Sequence, residues 1–369
     1  MAVKNYETLN TNTDVTTTRT LLHEAIPLTG TIISGTYTDY TITGETNVKN
    51  YSHGMFQSIY DYAYLSSSSN HIFDLTIGYS NNSSLSSSAN EQNAKKINLY
   101  NEMAQTLLGY DVTGGIDVFE NDLNTSDDSQ QMKDVFFLNF SRLLTKDQIK
   151  KGSFSLTIGT ASWSTPFRGA TAGPAGVTLT DLSASDTQGT ATANAGGEYG
   201  LLYHSPFTAS AIGCVFYQAG VAVITASIFC SASGPGSERP ASGNQDQFAL
   251  NNGTLYGITS SWTDLPISSA CDAVRHRIYN LSFNNTTEIN STIYFCRASA
   301  PKFNYSANTT YTTGSKIRVK DTATDTPVSY ITTIGLYNAA NELLAVAKLS
   351  EPLKKDPSNE VTLRVRLDY

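Results

Sequence analysis

Histidines are the side chains most readily used as general bases near neutral pH. None of those in this chain lies in a motif that specifies a reaction. The sequence has no Gly-x-Ser-x-Gly elbow, no His-Glu-x-x-His, no Walker loop, and no Gly-x-Gly-x-x-Gly after a predicted strand. We therefore expect structural histidines, no catalytic residue and no cofactor. The five histidines are His23, His53, His71, His204 and His276.

Of all the residues in the sequence, Asp272 and the run Arg275-His276-Arg277 are the group most like a charged binding site. This group could hold a carboxylate or a phosphate, or it could be a salt-bridged entrance to a strand. The second interpretation is favoured, since exposed ion pairs are common and weak. Paired carboxylates for glycoside cleavage stay open as an alternative, because acidic residues are scattered and their separation in space is not visible in a sequence.

The four cysteines are far apart and lack the Cys-x-x-Cys spacing of a zinc site. Free cysteine is among the most buried residue types and behaves as a small apolar group. We therefore expect no metal site, and buried, unreactive thiols. The cysteines are Cys214, Cys230, Cys271 and Cys296.

The composition restricts the class of protein. Of 369 residues only 15% are charged, against roughly 25% in an ordinary soluble domain. The 21 Tyr and 15 Phe argue against a disordered chain, which would be poor in aromatic residues. With 24 basic and 32 acidic residues the formal net charge is −8. Nucleic acid is not an expected partner, because its binding requires clustered Lys and Arg.

The sequence also bears on the cellular compartment. The first ten residues contain no apolar stretch of the kind found in a secretory signal, so we expect synthesis in a cytoplasm. The longest apolar run, residues 212–230, is interrupted by Gln218, Thr225 and Ser227. It is more typical of two buried strands than of a membrane-spanning helix of about 20 apolar residues. No membrane insertion is expected.

Hydrophobic periodicity predicts a mainly β, α+β chain with antiparallel, sandwich-like sheets and a few helices. The clearest helix spans 90–108, where apolar side chains recur at helical spacing and Gly109 supplies the stop. A short helix is predicted over 52–65, and a helical turn runs from a Thr145 cap to Gly152. Strands are predicted at 71–79 (half-buried), 135–140, 153–159 and within 198–229, then near 277–283, 291–297 and 316–320.

The end of the chain has a regular alternation of apolar and polar residues. Segments 329–336, 343–349 and 361–369 predict a three-stranded antiparallel unit with a turn at 338–341. The last segment resembles the closing strand of an outer-membrane β-barrel, which is a less favoured alternative because a barrel needs export and many such strands. The favoured interpretation is a final strand whose apolar face packs in a sandwich.

Composition divides the chain into four expected segments. Residues 1–33 form an N-terminal arm, with an extended arm or edge strand over 16–33, and 34–159 form an α+β region. Residues 160–200 form a Gly/Ser/Thr-rich insertion with weak strands. Residues 201–369 form a β-sandwich-like domain ending in the three-stranded unit.

Several sequence segments resemble those of a known protein family. They are Asn47-Val-Lys-Asn-Tyr51 to Gln57, Tyr64-Leu-Ser-Ser-Ser with Asn70-His-Ile-Phe-Asp74, Phe137-Leu-Asn-Phe-Ser-Arg-Leu143 with Ile149-Lys-Lys-Gly-Ser-Phe154, and Ile334-Gly-Leu-Tyr-Asn338 to Leu353. Together they resemble a virion structural protein family of T-even-like contractile-tailed cyanophages, the marine myoviruses. The resemblance implies a component of the tail, baseplate or neck of the virion. Its partners would be copies of itself and other virion proteins.

Three functional hypotheses follow. The first is a non-enzymatic structural subunit of the virion, because low charge and many Tyr suit large polar interfaces with aromatic anchors. Its expected contact surfaces are the N-terminal arm, the insertion and the edge of the C-terminal strands. The alternative is a receptor- or glycan-binding protein at the tail periphery, for which Trp163 or Trp262 would be exposed. The third is a cell-wall or polysaccharide hydrolase.

Overall fold

A computed structural model describes most of the chain. The described residues are 6–29, 46–83, 86, 90–111, 113–120, 131–159, 176–181, 196–204, 211–226, 266–275, 277–306, 312–313, 316–317, 324 and 326–369. They form two compact units, one from Leu22–Thr287 and one from Met1–Leu21 with Glu288–Tyr369. These limits fall at other positions than those of the four expected segments.

The described residues are mainly in antiparallel strands, with three helices, which confirms the predicted fold class. The helices are α1 (Glu91–Leu107), α2 (Arg142–Thr145) and α3 (Ile267–Arg275). The strands are β1 (Val15–Thr29), β2 (Val48–Asn50), β3 (Gln57–Tyr60), β4 (His71–Tyr79), β5 (Asp134–Phe140), β6 (Gln148–Ile149), β7 (Ser155–Gly159), β8 (Gly176–Thr180), β9 (Tyr199–His204), β10 (Gly213–Phe216), β11 (Val221–Thr225), β12 (Ile278–Ala298), β13 (Thr312–Thr313), β14 (Lys316–Ile317), β15 (Ser329–Tyr337), β16 (Leu343–Lys355) and β17 (Val361–Asp368).

The larger unit is built on a sheet with apolar packing on both faces. Its strands follow the order β12, β7, β8, β9, β10, β11, β5, β4, β3, β2. Because successive side chains of a strand point to opposite faces, β5 gives Phe136 and Leu138 to one buried cluster and Val135 and Phe137 to the other. Helices α1 and α3 both pack against β4. This strand is therefore almost fully buried, rather than half-buried as predicted.

Helix α1 confirms the predicted helix in position and in its ends. Asn90 is the cap, and its side chain accepts a hydrogen bond from the Asn93 backbone N–H at 2.7 Å. Gly109 follows with φ +97°, a conformation that favours glycine. A Cβ on Gly78 of β4 would lie only 3.0 Å from the Tyr100 Cα, so glycine permits the close approach of α1 to the sheet.

Two predicted helical segments were wrong. Within 52–65 the structure has β3, which pairs with its neighbours β2 and β4. Strand pairing therefore overrides the helical spacing of Met55 and Ile59. In the second segment the helix comes earlier, because Ser141 caps α2 and Thr145 is its last residue. Residues Gln148–Ile149 instead form β6, which pairs with β12. Gly152 still makes the turn, with φ +72°.

The predicted edge strand and part of the predicted insertion form strands of the large sheet. β1 stands at the end of the strand order, next to β12, which confirms an edge strand as far as Thr29. Strand β8 lies inside the expected insertion and pairs with β7, and its Leu179 is fully buried. Residues 160–175 and 182–195 of that insertion lie outside the described residues.

The C-terminal region differs from its prediction in connectivity. β15 and β16 form a two-stranded hairpin, but β17 pairs with β12 instead of joining them, so the predicted three-stranded unit was wrong. The alternation of β17 is present, and Val365 is buried opposite Tyr294. Both strands predicted at 277–283 and 291–297 belong to the single strand β12. β14 covers the first two residues of the predicted 316–320 strand, and the other three lie outside the described residues.

Candidate functional site

The described histidines occupy separate environments. His23 Nδ1 lies 3.1 Å from Thr286 Oγ1, and His53 Nδ1 accepts a hydrogen bond from the Met55 backbone N–H at 3.1 Å. His71 Nε2 lies 2.9 Å from Asp74 Oδ1. The side chain of His204 and the whole of His276 lie outside the described residues. Each described imidazole therefore has a different hydrogen-bond partner, and the three do not form one site.

Asp74 lies at the centre of a half-exposed polar cluster. Ser58 and Asp74 are directly opposite in the β3–β4 register, so their side chains share one face. The same carboxylate oxygen accepts a hydrogen bond from Ser58 Oγ and contacts His71 Nε2. An activated serine requires the imidazole between the hydroxyl and the carboxylate. Here the carboxylate stands between them, so the cluster lacks the geometry of a serine nucleophile.

Aromatic rings surround this polar cluster. The Tyr60 ring lies 5.5 Å from that of His71, and the Tyr51 ring stacks on His53 at 5.0 Å between centroids. Burial raises the pKa of Tyr60, with nearby Tyr51 and Asp74 adding to the shift. These rings mainly contact one another, which stabilises the β2–β4 edge of the sheet. Sequence reasoning missed this cluster, because Ser58 meets Asp74 only through the pairing of β3 with β4.

Asp272 and Arg275 form the ion pair that the sequence indicated, but in a different setting. The pair lies in α3, inside the larger unit, and not at an exposed strand entrance as predicted. Asp272 Oδ1 is 2.9 Å from Arg275 Nη2 and accepts a 2.7 Å hydrogen bond from Gln57 Nε2. Arg275 Nε also donates to Gln57 Oε1 at 3.3 Å. The helix face that carries the pair packs on β4, which removes both charges from water.

Asp181 is a second buried carboxylate that the sequence reasoning missed. It accepts hydrogen bonds from the backbone N–H groups of Gly152 and Phe154 and from Tyr217 Oη, at 2.8, 2.9 and 3.0 Å. Burial raises its pKa, and the three donors oppose that shift. Asp181 thus holds the turn at Gly152 against the strands on either side. The contacts describe a structural role.

The three described thiols are buried or half-buried and form no disulfide with one another. Cys214 and Cys271 are fully buried, as predicted, and Cys296 is half-buried. Cys271 Sγ donates a hydrogen bond to the Leu75 carbonyl at 3.3 Å. Burial raises the pKa of all three. Cys230 lies outside the described residues, as do Trp163 and Trp262, on which the glycan-binding alternative depended.

Two further findings concern the described residues alone. Among them no group of three or more His, Cys, Asp or Glu side chains is arranged to hold a metal ion. None of the helices in that part of the chain has both the length and the apolar character needed to cross a membrane.

Among the described residues, several exposed large apolar side chains lie on the C-terminal hairpin, which we define as β15 and β16. Both strands expose large apolar side chains, and Leu344 is 68% exposed. Tyr6 packs edge-on against Tyr337, with 5.0 Å between ring centroids. The other exposed apolar residues of the hairpin are Tyr330, Tyr337, Leu343, Val346 and Leu353.

Comparison of the chain with protein-family models, with curated proteins and with solved structures gives no match in any of the three. The functional assignment therefore rests on the residues of this chain.

Proposed function

We propose that the chain is a non-enzymatic structural subunit of a bacteriophage virion, in the contractile tail, baseplate or neck. It assembles through repeated contacts with copies of itself and with other virion proteins. The tail, baseplate or neck location is supported by the sequence resemblance to virion proteins of contractile-tailed cyanophages.

The observation that carries assembly is the exposure of the C-terminal hairpin. Its strands pair only with each other among the described residues. An isolated two-stranded hairpin is marginal in water, and stability normally requires further strands or a packed face. Leu343, Leu344 and Val346 are each more than half exposed. Burying one such side chain stabilises a structure by about 1.5–3 kcal/mol, so a neighbour that covers this face would gain several such contributions.

The polar clusters support the non-enzymatic part of the proposal. The buried charges of Asp272 and Arg275 bond to each other and to Gln57, and Asp181 bonds to the backbone and to Tyr217. These groups stabilise the fold. The hairpin instead offers a partner the exposed rings of Tyr330 and Tyr337, and Tyr is among the residues enriched at the energetic hot spots of protein interfaces.

The test is the composition of purified particles of the phage that encodes the chain. Quantitative mass spectrometry should find it in many copies per particle, and antibody labelling in electron micrographs should place it on the tail, baseplate or neck. The control is the particle-free fraction of the same lysate, processed in parallel. Enrichment in that fraction, with none in washed particles, would overturn the proposal.

A further inference from the structure

The two edges of the C-terminal hairpin differ in chemistry. The β16 edge has features that natural sheets use against unwanted pairing: charged side chains, a proline and a bulge. Lys348, Glu351 and Lys354 supply the charges, and Pro352 cannot donate a hydrogen bond. Between the pairs Ile331↔Leu353 and Thr333↔Lys348 the register shifts, which leaves residues 349–352 of β16 outside regular pairing.

The β15 edge has neither the charges nor the proline. From Thr326 to Asn341 the chain contains no charged residue, and the strand itself, Ser329–Tyr337, contains no proline. Its residues are mostly β-branched or aromatic, which favours strand pairing. Within the described part of the chain, β15 pairs with β16 alone. A strand of this kind offers a row of backbone donors and acceptors to another strand.

We infer that the free edge of β15 pairs antiparallel with the same edge of a second copy of this chain, which makes a four-stranded sheet. This inference rests on the proposed function and names one partner in it. The charge pattern favours a second copy, because a chain of net charge −8 meets least repulsion from itself at a segment without charges. Two-fold pairing through one surface patch is also the commonest form of self-association.

Full overlap of the nine-residue strand defines the register. A two-fold axis at Thr333 places Thr333 opposite its own copy, Ile331 opposite Gly335 and Tyr330 opposite Leu336. The aromatic–aliphatic pair Tyr330 and Leu336 belongs to the class of cross-strand contacts that stabilise a sheet. No pair in this register brings like charges together.

The experiment is sedimentation equilibrium of the purified full chain and of charge variants at the axis. Wild type should associate in a concentration-dependent manner at or below about 100 µM. T333K and T333E should each weaken self-association about tenfold or more, because like charges would lie directly opposite each other. An equimolar mixture of the two variants should restore association. S350K, which adds the same charge to an exposed position of β16, is the control for added charge and should behave as wild type. T333K also lies opposite Lys348 of its own hairpin, whereas T333E places an opposite charge there, so a loss shared by both variants reports on the pairing of copies.

The mixture separates a lost interface from a lost fold, since misfolded variants would not regain association when combined. A chain that stays monomeric at all concentrations, or a T333K chain that associates like wild type, would overturn the inference. So would binding of a different protein to β15 with no pairing of copies. These outcomes are independent of whether the chain is found in purified particles, so failure of the proposed function and failure of this inference are distinguishable.

Discussion

The Asp272 carboxylate and the Arg275 guanidinium form an ion pair one helical turn apart, with 2.9 Å between Oδ1 and Nη2. Their side chains are 7% and 0% exposed. Two charges that have been removed from water in this way depend on each other, because loss of either one takes a neighbouring opposite charge from the other in the interior.

The variant D272N tests this dependence. It keeps the size of the side chain but removes the Asp272 charge from beside the buried Arg275 guanidinium, and breaking a buried ion pair typically costs about 3–5 kcal/mol of unfolding free energy. Urea denaturation followed by circular dichroism measures the loss. The double variant D272N/R275Q should recover part of it, because it removes the stranded charge. Equal losses for the single and the double variant would show that the charge left on Arg275 adds no cost in D272N.

The raised pKa of Asp181 makes the unfolding free energy depend on pH in a known direction. Burial raises its folded-state pKa above the ordinary 3.8, so the folded chain binds this proton more tightly than the unfolded chain. The stabilisation is fully present below pH 3.8 and is lost as the pH rises through the folded pKa. The difference in unfolding free energy between wild type and D181N should therefore shrink from acid to neutral pH.

Asp368 provides the control, because its pKa is shifted in the opposite direction to that of Asp181. Hydrogen bonds from Ser291 and Arg366 lower its pKa, so its stabilisation is present above the unfolded pKa and is lost as the pH falls through the folded one. The difference between wild type and D368N should grow from acid to neutral pH. If D181N and D368N show the same trend, the assignment of the Asp181 shift to burial is wrong.

The cap of α1 predicts a smaller effect. Asn90 Oδ1 accepts the Asn93 backbone N–H at 2.7 Å, and loss of such a cap costs about 1 kcal/mol. N90A should lower the unfolding free energy by that amount in urea titrations. N90S retains an acceptor at the same position and should stay close to wild type. An N90A chain as stable as N90S would contradict the capping role.

The buried thiols predict selective labelling. Cys214 and Cys271 are fully buried with raised pKa values, so little thiolate forms and reagents have no access. Iodoacetamide at neutral pH should leave both unmodified in peptide mass spectra, and half-buried Cys296 should react first among the three. In denaturant all three should react. Rapid labelling of Cys271 in the native chain would contradict its packing beneath β4.

Local patterns predicted the elements whose stability is local. The spacing of apolar residues in α1, the Asn90 start and the Gly109 stop are all encoded within one segment, and the structure confirms them. The same holds for β4 and β5, whose aromatic and β-branched content marks them as strands. The mainly β class follows from many such segments together.

The errors have a common physical cause, which is strand pairing that the local spacing of apolar residues does not specify. Residues 52–65 could satisfy a helical spacing, but β3 gains more from β2 and β4 on its two sides. β17 alternates as predicted, yet its partner is β12 and not the adjacent hairpin. The Asp272–Gln57 contact joins residues 215 positions apart. Ser58 reaches Asp74 only through the pairing of β3 with β4, and the partners of Asp181 reach it only in the folded sheet, which is why local patterns missed both groups.

The unequal edges of the C-terminal hairpin also limit how far association can grow. A pair joined through β15 would present a β16 strand at each outer side, and that strand carries Lys348, Glu351 and Pro352. Neither side then offers a template for a third hairpin, so growth of this sheet would stop at two copies, and further assembly would use other surfaces of the chain. Such a sheet closes on itself as a discrete unit, whereas two unguarded edges would permit an open-ended fibre.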